Sequence, residues 1–141
     1  MEKIMDELTM LFTCPACDIS YNETLKAVQT KWKGIYVKGD EFRKIIDEVL
    51  MAVEQTKSST IIADTREMKL IAEDDRKWIV DDWYPRALAG GFRCQALIVS
   101  RDSFNEQAIK LIVSKYNNEL IKTHYFIVPE DAEAWVKNGA P

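Results

Sequence analysis

The sequence predicts an α/β domain: one small mixed sheet of four to five strands, covered by helices. Three observations carry this. Apolar stripes at helical spacing alternate with short apolar runs along the chain. The first recognisable pair of strands forms a hairpin, and each later strand is separated from the next by a helix. Strands linked through helices make right-handed crossovers, so everything after the hairpin is expected to be largely parallel.

The elements follow in order. Leu8 to Cys14 is apolar and reads as an extra strand or a short helix. Asp18–Tyr21 and Thr24–Trp32 flank Asn22-Glu23, and an asparagine there suits a tight turn, giving an antiparallel hairpin. In the second arm Leu25, Ala27 and Gln29 fall on one side, and Lys26, Val28, Thr30 and Trp32 on the other. From Asp40 to about Thr56 the residues Phe42, Ile45, Ile46, Val49, Leu50 and Val53 form a single helical face, with Asp40 expected as its N-cap. Ser59–Asp64 is a short apolar run suited to a strand buried on both faces. Glu73 to Leu88 reads as a helix with Ile79, Val80, Trp83 and Ala87 inward; Pro85 should kink or end it near Tyr84, and Gly90-Gly91 stops it. Gln95–Ser100 is a second buried strand. Ser103 and Glu106 have capping-box spacing and open a helix expected to turn Ala108, Leu111, Ile112 and Tyr116 inward. Thr123–Val128 is a third parallel strand, and Pro129 starts a last helix with Ala132, Trp135 and Val136 facing in.

The 141 residues fit one domain, 1–141, and no linker or repeat divides them. Lys and Arg number 19 against 23 Asp and Glu, a net charge of −4. Nucleic-acid binding needs a basic face and a peripheral anchor needs a polybasic segment, so neither is expected. No apolar run approaches the ~20 residues of a membrane helix. Acidic residues interrupt the N-terminal stretch before it could serve as a signal peptide, so a cytoplasmic protein is expected.

Cys14-Pro15-Ala16-Cys17 admits three readings. A thioredoxin-like thiol pair needs its first cysteine at a helix N-terminus, yet the chain downstream reads as extended. A metal site would recruit Cys94 and His124. The favoured reading is two cysteines acting as small hydrophobes at a strand start. No cofactor is expected: a Gly-rich phosphate loop and a G-x-S-x-G elbow are both absent.

Several strings resemble the SpoIIAA-like proteins of the STAS superfamily, anti-sigma-factor antagonists and their mostly bacterial relatives. They are Trp32-Lys33-Gly34 closing the hairpin, Ile61-Ile62-Ala63-Asp64, Trp83-Tyr84-Pro85-Arg86-Ala87 with Gly90-Gly91, and Ala134-Trp135-Val136. The resemblance spans about residues 16–138 and implies fold more firmly than function. It implies a non-enzymatic module for protein interaction or self-association. Phospho-regulated members carry their switch serine at the helix start that corresponds to Leu70–Asp75; this chain has Glu73, Asp74 and Asp75 there and no serine. A serine switch is therefore not expected. The expected partner or ligand surface comprises Asp64, Arg66, Glu73, Asp74, Asp75, Trp78 and Tyr84. The alternative expectation is a small apolar-ligand or lipid-binding domain with a pocket between helix and sheet.

Overall fold

A computed structural model describes residues 8–116 and 118–139. The acidic N-terminal stretch 1–7 and residues 140–141 lie outside the described residues. The fold is α/β, with one mixed sheet of six strands in the order β1-β2-β3-β4-β5-β6 among the described residues. The strands are β1 (Leu8–Thr13), β2 (Cys17–Asn22), β3 (Ala27–Trp32), β4 (Thr60–Asp64), β5 (Cys94–Ile98) and β6 (Lys122–Phe126). β1, β2 and β3 pair antiparallel, and β3 to β6 run parallel. Leu8–Thr13 is thus a strand, which brings the count to six. The hairpin loop spans residues 23–26 rather than Asn22-Glu23 alone. Asn22 Oδ1 accepts from the Leu25 N–H (3.0 Å), and Lys26 takes a left-handed φ of 54°, so pairing resumes only at Ala27.

The helices are α1 (Asp40–Thr56), α2 (Glu73–Trp78), α3 (Tyr84–Ala89), α4 (Phe104–Lys115) and α5 (Pro129–Lys137). Asp40 is not the N-cap of α1. Gly39 occupies that position with φ 64°, and Asp40 lies in the first turn, where its charge meets the helix dipole. Between α2 and α3 the chain makes a π turn, Ile79–Trp83. Its cause is Pro85, which lacks an N–H and whose ring would clash with the carbonyl of Asp81. The Tyr84 N–H donates instead to Ile79 O, five residues back, and the helical path continues. α3 then closes on Gly91 (φ 106°), with the Phe92 N–H donating to Ala87 O (3.0 Å). At α4, Ser103 Oγ accepts from the Glu106 N–H (2.9 Å), as the capping box requires, while Glu106 Oε1 accepts from the Asp102 N–H rather than from Ser103.

The sheet buries its two faces unequally. Ile19, Val28, Trp32, Ile61, Ala63, Leu97 and Val99 join the residues of α1 to α4 in the main core. On the other face Ala27, Ile62, Ala96 and Ile98 pack with Ala132 and Trp135 of α5. α5 packs on β4, β5 and β6, while Ser20, Gln29 and Lys31 on this face of β2 and β3 stay in contact with solvent. One stripe is displaced from its expected position: α4 buries Ile109 and Ile112, and Leu111 is 50% exposed.

Candidate functional site

The parallel strands end together, because Lys31, Asp64, Ile98 and Phe126 are in register. Loops leaving that carboxyl edge are where an open α/β sheet gathers ligands. Asp64 ends β4, with its side chain 13% exposed. Its carboxylate accepts from Arg66 Nε (2.9 Å) and Nη2 (2.7 Å) and from the Arg66 backbone N–H (3.2 Å); Lys31 Nζ stands 3.4 Å away. Burial pushes the Asp64 pKa up, but the Arg66 hydrogen bonds and the Lys31 charge outweigh it and hold the carboxyl below the usual range. A carboxylate this fully bonded holds its position and has little capacity left to accept a substrate proton. The cluster extends along the open face through Lys31–Glu67 (3.5 Å) and Lys33–Asp18 (2.9 Å). It borders a shallow groove of about 350 Å³ that also meets Ser20, Gln29 and Met10.

The start of α2 separates its three acids. Glu73 and Asp74 are exposed, but Asp75 is 1% exposed. Asp75 accepts from the Gly39 N–H (2.9 Å) and from Arg43 Nε (3.0 Å), tying α2 to the start of α1. Tyr84 is buried as well. Its ring stacks on Tyr116 (5.0 Å between centroids), and its hydroxyl accepts from Gln95 Nε2 (3.1 Å), which also donates to Thr123 Oγ1 (2.9 Å). Burial pushes the Tyr84 phenol up to about 12 despite the Gln95 bond, so it stays neutral. These two are therefore corrected from surface residues to interior ones. Trp78 is half-buried on the side toward α1, with the guanidiniums of Arg43 and Arg86 over its ring at 5.4 and 5.7 Å.

The seven residues thus do not form one surface. Glu73 and Asp74 border a groove of about 380 Å³ between α2, the π turn and α4. Asp81 adds a third acid, Arg76, Lys77 and Lys115 supply cations, and Val80, Leu111 and Ile112 form the apolar floor. Leu111, expected inward, is exposed here beside Lys115, because α4 offers two stripes one residue apart. Ala108, Leu111 and Ile112 have the same spacing as Ile109, Ile112, Val113 and Tyr116, and the second set is the one packed inward. Beneath the helices, a cavity of about 100 Å³ lined by Trp32, Met68, Ile71, Leu97 and Ile109 has room for a few carbon atoms. Pockets that bury a drug-sized ligand are roughly 300–1,000 Å³.

Burial holds the Cys17 and Cys94 thiols in their protonated form. Cys17 and Cys94 are buried, and burial, reinforced by the charges of Cys14 and Asp18, pushes the Cys17 thiol up to about 12. Residues 14–17 form the turn between two strands: Cys14 N–H donates to Cys17 O, and Cys17 N–H to Cys14 O. No helix dipole is available there to stabilise a thiolate. Cys94 starts β5 beside Thr60, whereas Cys17 pairs with Trp32 at the carboxyl edge. Five residues of strand, roughly 17 Å, separate those ends. His124 lies against Trp135 (5.4 Å) on the face of the sheet opposite Cys17. Among the described residues no group of three or more His, Cys, Asp or Glu side chains could hold a metal ion. A thiol reagent at neutral pH is expected to label Cys14 alone in the native protein and all three cysteines in denaturant. Two rapidly labelled native thiols would contradict this placement.

No helix among the described residues is long and apolar enough to cross a membrane. Comparison with protein-family models, with curated proteins and with solved structures returns no match for this chain.

Proposed function

We propose that the chain is a non-enzymatic, STAS-like interaction module of the bacterial cytoplasm that works without a serine phosphoswitch and docks a protein partner in the α2–α4 groove. The observation that carries this is the groove's construction. Three acids and three cations rim an apolar floor on which Leu111 is half exposed. An apolar centre inside a polar rim is the anatomy of a protein interface. Mixed charges on the rim favour one orientation of a partner and disfavour others. Asp64, Asp75 and Tyr84 spend their hydrogen-bonding capacity inside the protein, so the docking surface is placed in the groove and not on them.

A photo-crosslinker at position 111, activated in the source cells, is expected to give one discrete adduct. Leu111→Asp should abolish capture of that same partner from cell extract while shifting stability by no more than about 0.5 kcal/mol, as for an exposed site. No adduct, or undiminished capture by Leu111→Asp, would remove this reading.

A further inference from the structure

β1 is one lateral edge of the sheet, and its outer side carries no further strand among the described residues. Its sequence, Leu-Thr-Met-Leu-Phe-Thr, has neither a charge nor a proline. Leu8 and Met10 are each 56% exposed and Leu11 is 37% exposed. Such an edge offers unpaired N–H and C=O groups together with apolar side chains, and charged residues are the usual protection against pairing. The opposite edge, β6, has that protection in the exposed Lys122.

We propose that β1 pairs antiparallel with β1 of a second copy of this chain, continuing the sheet across a two-fold axis. Self-pairing suits this strand because an uncharged edge meets its own copy without any like-charge contact. A head-to-tail contact of β1 with β6 would set the apolar edge against Lys122 and would not close. Leu8 and Met10 lie opposite Asn22 and Ser20 on the open face of the sheet. Two-fold pairing gathers these side chains from both copies into one apolar patch on that face. The register shift between Met10 and Phe12 bends the strand and confines pairing to a short stretch. Six residues span roughly 20 Å, a small contact beside a standard interface of about 1,600 Å², so the dimer forms at micromolar concentration.

Light scattering and sedimentation of the full chain across about 10–1,000 µM, a range that brackets such affinities, are expected to show the mass rising from 16.3 kDa toward twice that value. A Leu8→Lys, Met10→Lys double variant should stay at 16.3 kDa throughout, and Leu111→Asp should dimerise like the wild type, which separates this contact from the groove. Amide exchange in the wild type should slow at Leu8–Thr13 as concentration rises, a readout that needs no variant. The proposal is overturned by a wild-type chain that stays monomeric, by a dimer that survives both lysines, by growth beyond two copies, or by exchange at β1 that is independent of concentration.

Discussion

Asp75→Ala is expected to destabilise the protein by about 2–4 kcal/mol, a large share of the 5–15 kcal/mol that holds a domain together. The carboxylate is 1% exposed and bridges two elements, with the Gly39 N–H on one oxygen and Arg43 Nε on the other. Removing it leaves a helix-start N–H and a guanidinium without their acceptor, and loss of one partner from a buried pair costs about 3–5 kcal/mol. The lower figure applies here because Arg43 keeps 34% side-chain exposure and rests on the Trp78 ring, so its charge remains partly solvated. Asp75→Asn keeps an acceptor for Gly39 but turns an NH2 donor toward Arg43 Nε, so it should cost about 1.5–3 kcal/mol, the worth of the charged hydrogen bond it loses. Asp74→Ala, one residue earlier and exposed, should change stability by less than about 0.5 kcal/mol. Urea unfolding of the three variants checks the order; an Asp75→Ala midpoint equal to that of Asp74→Ala would contradict the bridging role.

That contrast marks where sequence reading reaches its limit. Each residue of an α-helix turns by about 100°, so three consecutive acids point three ways. Which one is buried is settled by Gly39 and Arg43, more than thirty residues upstream. Regular elements were legible because their signals are local. The apolar stripe of α1 and the serine cap of α4 lie where periodicity and capping place them. β1 was ambiguous because six residues, four of them apolar, are too few to separate a period of 2 from one of 3.6. The groove stayed hidden because its floor depends on a one-residue rotation of α4, decided by contact with the sheet and not by the helix's own pattern.

Phe92→Ala is expected to cost about 3–5 kcal/mol, the range for emptying a buried aromatic site. Phe92 is 0% exposed and follows Gly91, whose φ of 106° turns the chain from α3 into the sheet. Its ring meets Trp83 at 6.0 Å and Tyr84 at 6.2 Å, and Tyr84 in turn stacks on Tyr116 beside α4. Aromatic pairs add about 0.5–1.5 kcal/mol beyond the area they bury, and two such pairs are lost at once. The cavity would open inside a cluster already fixed by hydrogen bonds, since Trp83 Nε1 donates to Ile46 O (2.9 Å) and the Tyr84 hydroxyl is held by Gln95. Neighbours anchored in this way cannot collapse into the space, which places the cost in the upper half of the range. Phe104→Ala removes the same ring from a position 84% exposed and should stay within about 0.5 kcal/mol. Thermal unfolding followed by tryptophan fluorescence compares the two directly. At about 4 °C per kcal/mol for a chain of this size, Phe92→Ala should melt about 16–20 °C below the wild type. A drop of less than ~5 °C would mean that Trp83 and Tyr84 relax into the vacated volume, and that the junction of α3 and β5 is softer than its hydrogen bonds imply.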